Sequence, residues 1–475
     1  MWSRPRSGPA ATWFCAILLL AAMGRSPTAG AAAAQSQLGD ATVESGRYLA
    51  LAGDCQACHT TDPSKQMAGG YAVPTPFGAI YTPNITADKQ TGIGTWSDED
   101  FVRAMHQGIR KDGANLYPAF PYTSFTLLSR GDVLAIKAYL FSLPPVRNVV
   151  PVNHLGFPFN QRWLLRGWKL LNFRDARFHA DAGKPAEWNR GAYLTQALEH
   201  CDTCHTPRNL TLGQENGEAL AGGAVGAWSA FNITPDKTSG IGGWGDTEVF
   251  DYLSTGVAAG KARAAGPMGE AVEHSLSRLK PDDVRAIVTY LRDQPAISRS
   301  EEHVSRFAFG TPATYEAVLR GSSGITGGGV AGSGAELFSA NCASCHGVAG
   351  DGSGDGYYPP LLHNTSVGAS TPNNLVMVVL NGVQRRTAKS AVFMPGFAAL
   401  SNEQIASLVN FVERQFGDPT LQVAAGEITS YRHDADPGQS YLAIGIGAGG
   451  SAVGIAVVLC GIVLLLRRAR RRRAA

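Results

Sequence analysis

Cys55-Gln56-Ala57-Cys58-His59, Cys201-Asp202-Thr203-Cys204-His205 and Cys342-Ala343-Ser344-Cys345-His346 share one spacing: two thiols three residues apart, then an imidazole. Thiols so placed can each form a thioether with one vinyl group of a haem, and the adjacent histidine then lies under the ring, where it can bind iron. A redox dithiol explains any one pair but gives no reason for a histidine each time. Zinc would need further Cys or His ligands near each pair. The strings use six of the eight cysteines; Cys15 and Cys460 lie in the two most apolar stretches, so none remains for a disulfide framework. The expected cofactors are three covalently attached haem c groups. Cys55, Cys58, Cys201, Cys204, Cys342 and Cys345 would attach them, and His59, His205 and His346 would bind the iron.

A second axial ligand is expected in the loop before each final helix. In the third region it is Met394, within Val392-Phe393-Met394-Pro395-Gly396-Phe397, and in the second it is Met268, within Gly266-Pro267-Met268-Gly269. A thioether is a soft ligand that favours ferrous iron and raises the potential. Methionine is more often core filler, but position, flanking proline and repetition outweigh that role here. The first region departs from the pattern: Leu116-Tyr117-Pro118-Ala119-Phe120-Pro121-Tyr122 places Phe120, which cannot ligate iron, where a methionine is expected. Met105, His106 or no protein ligand remain. Met105 is preferred, because it stands three residues before Gly108 as Leu253 precedes Gly256 and Val379 precedes Gly382. Packing beside the haem is the competing role.

The elements that must position these residues repeat with them. The strings start at 55, 201 and 342, and a helix signature precedes each: Gly46-Arg47-Tyr48-Leu49, Gly191-Ala192-Tyr193-Leu194 and Gly334-Ala335-Glu336-Leu337-Phe338. Downstream, Ser129 caps a helix bearing Val133, Ile136, Tyr139 and Leu140, and Pro281 opens one bearing Val284, Ile287, Tyr290 and Leu291. Ser401 and Gln404 form a capping box before Ile405, Leu408, Val409 and Val412. The predicted fold is all-α, with three tandem cytochrome c domains at 41–145, 186–300 and 331–420 and one C-terminal transmembrane helix. Residues 146–185 and 301–330 are read as linkers, and the glycine-rich stretch Gly321–Gly334 runs from the second into the start of the third unit.

Residues 1–34 read as a signal peptide: Arg4 and Arg6, the apolar run Ala10–Met23, then small residues from Thr28 to Ala34. The 26 residues from Tyr441 to Leu466 carry no charge and would make about 39 Å of helix, enough to span a bilayer. Six arginines follow in the tail 467–475, and the positive-inside tendency keeps that end cytoplasmic. The expected placement is the inner membrane, single-pass, with the haem domains in the periplasm. Gly445, Gly449, Gly450 and Gly454 suit close helix packing, though a lipid-facing span is an equal reading. Setting aside both ends leaves 32 basic residues against 38 acidic, which argues against a nucleic-acid partner.

The arrangement resembles the membrane-bound cytochrome c subunit of bacterial periplasmic dehydrogenases, such as those for alcohols, gluconate, fructose and aldehydes. The resemblance runs from about residue 41 to 420 and rests on Gly46–Thr60, Tyr117–Phe125, Trp188–Asn209, Gly266–Leu291 and Phe393–Gly417. It implies electrons passing from a separate catalytic subunit, through the haems, to ubiquinone or a terminal oxidase. The form around Phe120 looks like cytochromes paired with molybdenum and iron–sulfur enzymes acting on aldehydes or N-heterocycles, which admits a small iron–sulfur subunit as a further partner. A quinoprotein or flavoprotein alcohol or sugar dehydrogenase is the alternative partner. No catalytic residue of its own is expected: no dinucleotide-binding glycine string follows a strand. An oxygen- or nitrogen-oxide-reducing enzyme using an open first haem, and a membrane haem sensor, are the competing functions. The nine residues after Leu466 leave little for a signalling output.

Overall fold

Glycine sets the first contact of each unit. A Cβ on Gly46 would lie 1.8 Å from the Ala135 carbonyl oxygen, one on Gly191 1.9 Å from that of Ala286, and one on Gly334 2.2 Å from that of Ser407. Each glycine thus marks where an opening helix crosses directly on the backbone of a closing helix. The computed structural model describes residues 29–312 and 333–435, and this frame occurs in it three times. The first unit runs Ala29–Ala52, Cys55–His59, Asp98–Gln107 and Arg130–Ser142. The second runs Ala186–Tyr193, Asp202–His205, Asp246–Thr255 and Pro281–Arg292. The third runs Gly334–Asn341, Ala343–His346, Asn373–Asn381 and Asn402–Phe416.

The closing helices start as their sequences direct. Ser129 accepts a hydrogen bond from the Asp132 amide, Pro281 occupies the first turn, and Ser401 and Gln404 form a capping box. Their apolar faces are buried: Val133, Ile136 and Leu140; Val284, Ile287 and Leu291; Ile405, Leu408, Val409 and Val412. The first two units share one core, and the third has its own.

Units one and two also exchange side chains reciprocally. Tyr48 Oη donates to Asp283 Oδ2 at 2.5 Å, and Tyr193 Oη donates to Asp132 Oδ2. The two tyrosines hold corresponding places in the opening helices, and the two aspartates hold corresponding places in the closing ones. Each tyrosine also accepts an amide hydrogen bond at 3.1 Å, from Lys280 and Ser129 respectively.

The expectation of a purely helical chain needs amendment. Small antiparallel sheets join the helices: Ala72–Thr75 with Gly78–Tyr81 and His154–Leu155, Gly223–Val225 with Trp228–Ala230, Val257–Ala258 with Ala262–Arg263, and Val383–Arg386 with Ala391–Met394. Strands of two to four residues are too short to carry an alternating pattern. The segment 146–185 is bound rather than loose: Lys169 Nζ donates to the Gln107 carbonyl at 2.6 Å and to Asn115 Oδ1 at 2.8 Å. Of the expected signal peptide, residues 1–28 lie outside the described residues, as do 313–332, Cys15, Cys460, the span 441–466 and the tail 467–475. Among the described residues, no helix is long and apolar enough to cross a membrane.

Candidate haem sites

Each cysteine pair lies in a single helical turn, where positions three apart share a face. None of the six thiols is in a disulfide. Burial pushes Cys55 and Cys342 up to about 12 and raises Cys201 and Cys204 as well. A reactive dithiol needs the opposite, a lowered thiol in an electropositive setting. The placement of each pair in one helical turn is consistent with haem c attachment.

The histidines are held alike. Nδ1 of His59 meets the Pro83 carbonyl at 2.8 Å, that of His205 the Phe231 carbonyl at 2.6 Å, and that of His346 the Pro359 carbonyl at 2.9 Å. A carbonyl only accepts, so Nδ1 carries the proton and Nε2 keeps its lone pair for a metal. Burial lowers the proton affinity of all three rings, which keeps them neutral. Asn84 Oδ1 accepts from the Thr86 amide at 2.9 Å, and Asn232 Oδ1 from the Thr234 amide at 2.8 Å. The two asparagine amides bridge to the carbonyls of Val146 and Ile297, both at 2.7 Å. These anchors beside Pro83 and Phe231 escaped the motif reading. Their signal was the tripeptide Asn-Ile-Thr at 84–86, repeated at 232–234.

In the third unit, Cys342, Cys345, His346 and Met394 line one cavity with Leu361, Val379 and Phe397. It encloses about 1110 Å³ of space between atoms, counting the part open to solvent. Apolar walls, paired thiols, a free imidazole nitrogen and a thioether are the donor set a haem c requires, so the residues fit the group. Met394 ends the strand Ala391–Met394 rather than lying in a loop, because Val383 pairs with it across the hairpin. Met268 was also expected in a loop. It is instead in the first turn of the helix Gly266–His274, which Pro267 favours. Met268 packs against the core shared by the first two units, as does Cys201.

Met105 is buried in that same core, and Cys55 and Phe120 pack on it. Leu253 and Val379, its counterparts before Gly256 and Gly382, are buried too. His106 is buried, its Nε2 without a partner among the described residues and its ring near the Leu128 carbonyl and the charges of Arg177 and Asp175. Adjacent residues on a helix point about 100° apart, so His106 faces a different direction from Met105. Met67, which sequence reasoning passed over, is buried at φ 60°, and its amide donates to Thr60 Oγ1. Leu220 repeats that conformation and its bond to Thr206 Oγ1, so this position serves packing. Phe120 contributes an aromatic contact: its ring lies 5.5 Å from Phe125, which lies 5.6 Å from His200, beside the second string.

The family model for Cytochrome c matches residues 43–144 and 331–415. The chain is 41% identical over 456 residues to the fructose dehydrogenase cytochrome subunit of Gluconobacter japonicus, covering 91% of this chain and 92% of that one. It is 34% identical to the gluconate 2-dehydrogenase cytochrome c subunit of Pantoea cypripedii, over 85% of this chain and 92% of that one. It is 39% identical to a nicotinate dehydrogenase subunit of Pseudomonas putida, covering 84% of this chain but 32% of that longer protein.

Proposed function

The chain belongs to the cytochrome c subunits of periplasmic bacterial dehydrogenases, and from that premise we propose a triheme, membrane-anchored relay between a sugar- or alcohol-oxidising subunit and ubiquinone. It is the electron-transferring subunit; substrate oxidation belongs to a separate catalytic subunit. Similarity along nine-tenths of the fructose and gluconate relatives favours a quinoprotein or flavoprotein partner. The molybdenum alternative rests on the form around Phe120 and on a relative of which the chain covers about a third.

Cys55 and Cys58, Cys201 and Cys204, and Cys342 and Cys345 would attach the haems, with His59, His205 and His346 as one axial ligand each. Met268, Met394 and Met105 would supply the other. Haem c, when bound, supplies one-electron oxidation and reduction. The chain orients each histidine through its Nδ1 proton, offers thioethers that favour the reduced state, and keeps water from the apolar face. The repeated Nδ1-to-carbonyl bond is the observation that most supports this reading. The haem domains would occupy 41–145, 186–300 and 331–420, with a cleaved leader at 1–34 and a span at 441–466.

Affinity purification from membranes tests the proposal. The intact mass should correspond to a chain lacking about its first 34 residues and bearing three haem additions, together with a flavin- or quinone-containing subunit. Two or fewer haems in mature protein would sink the triheme reading. A molybdenum-containing partner would return the assignment to the other dehydrogenase class.

A further inference from the structure

Two arginines cross in opposite directions where the second unit meets the third. Arg263, from the second unit, lines the third unit's cavity beside Cys345 and His346 and donates from Nη2 to the Gly356 carbonyl. Arg385, from the third unit, enters the second, where it is 2% exposed and donates from Nη1 to the Ala264 carbonyl. It fills the space over Gly256, where a Cβ would sit 2.4 Å from its Cζ. The strand bearing Arg263 is thereby held on both flanks, by Arg385 at Ala264 and by the Thr365 amide on the Lys261 carbonyl at 2.7 Å.

Charge at this junction does not balance. Nε and Nη2 of Arg385 are buried without a partner among the described residues. Arg263 lies close enough to Arg385 to repel it. The nearby carboxylate, Glu273, is engaged at Oε2 by the Arg386 amide at 3.1 Å. Glu273 offsets the charge of Arg385 in part, but among the described residues no carboxylate acts on the half-buried Arg263, so the side of the junction that faces the third unit's cavity is short of an anion. The cavity that Arg263 lines is the one the third haem fits, and every haem carries two propionate carboxylates.

We propose that Arg263 is a positioning residue that acts across the unit boundary, its guanidinium binding a propionate of the haem held by Cys342, Cys345 and His346. This rests on the haem reading of the third site. The planar fork of a guanidinium matches a carboxylate with two parallel bonds. Arg385 fixes the strand beneath it and adds a second positive charge. Positive charge here favours the reduced state, so docking of the second unit sets part of the third site's potential.

The test uses the full chain purified from membranes. Wild-type intact mass comes first: fewer than three haem additions would overturn the haem reading itself, independently of Arg263. With three present, Arg263→Gln is expected to keep all three and lower one midpoint. The expected size is about tenfold in the reduced-to-oxidised ratio at a fixed potential, about 59 mV for one electron. Arg263→Lys should retain most of the wild-type value. Unchanged midpoints in Arg263→Gln, or an equal fall at every haem, would overturn the proposal. So would a wild-type midpoint that moves on adding inorganic phosphate at constant ionic strength, since a solution anion would then hold the site. If Arg263→Gln does not mature, Arg385→Gln decides: the same midpoint must fall, and an unchanged one overturns the proposal.

Discussion

Glu413 has no exposed surface, and among the described residues neither of its carboxylate oxygens has a well-formed hydrogen bond, the Asp418 amide being the polar group nearest to them. Burial, helped by the nearby Asp418 carboxylate, pushes this carboxyl up to about 8, and the Asp418 amide offsets that only in part. The folded chain therefore holds a proton that the unfolded chain releases above the ordinary value of 4.5. Stability contributed here is present below that value and is lost as pH rises toward 8, on the order of 5 kcal/mol in all. Glu413→Gln should flatten this slope and raise the thermal midpoint at pH 8 while leaving that at pH 5 nearly unchanged. A slope equal to wild type in melts from pH 5 to 8 would refute the assignment. For the axial ligands, Met394→Ala and Met268→Ala should each remove one long-wavelength sulfur-to-iron band and lower one potential. Met105→Ala should do the same for the first haem, and His106→Ala should not. An unchanged spectrum in Met105→Ala would leave that residue with a packing role only.

At the scale of elements, the opening and closing helices depend on glycine at their crossing. Alanine is the better helix former by about 1 kcal/mol, yet Gly191→Ala would drive a methyl into the Ala286 backbone. Overpacking of this kind costs roughly 1–3 kcal/mol, so a net loss is expected, and a thermal midpoint at or above wild type would contradict the crossing. The caps at Ser129, Pro281 and Ser401 were legible because each is a contact within one turn of chain. The hairpin placing Met394 and the helix placing Met268 were not. Their lengths are set by neighbours such as Val383, which lies outside any local window around the methionine.

Across the whole molecule, the first two units form a reciprocal pair and the third docks through its arginine exchange with the second. Asp283 ties the pair together, accepting from Tyr48 Oη at 2.5 Å and from Arg190 Nε and Nη2 at 2.7 Å each. Asp283→Ala should cost about 2 kcal/mol, since bonds to a charged group are lost and a partly buried guanidinium is left behind. Its signature is weakened contact between units one and two, seen as faster amide exchange in both opening helices; protection unchanged in Ala29–Ala52 would count against the pairing. Removal of residues 437–475 should release a haem-loaded chain into the periplasm, because the uncharged run 441–466 lies within them. Retention of the truncated chain in washed membranes would require a second attachment.

The sequence alone determined the spacing on which the proposed haem attachment rests. Two thiols and an imidazole within five residues need only one helical turn to converge, and no distant part of the chain can alter that spacing. It also determined the threefold repeat and the starts of the closing helices. Tertiary structure alone decided what holds the imidazoles, because Pro83, Phe231 and Pro359 act through backbone carbonyls, which carry no residue-type signature. It likewise decided that Tyr48 meets Asp283 and that Arg263 reaches the third cavity. Those partners are brought together only when whole units dock, so no spacing along the chain could have announced them.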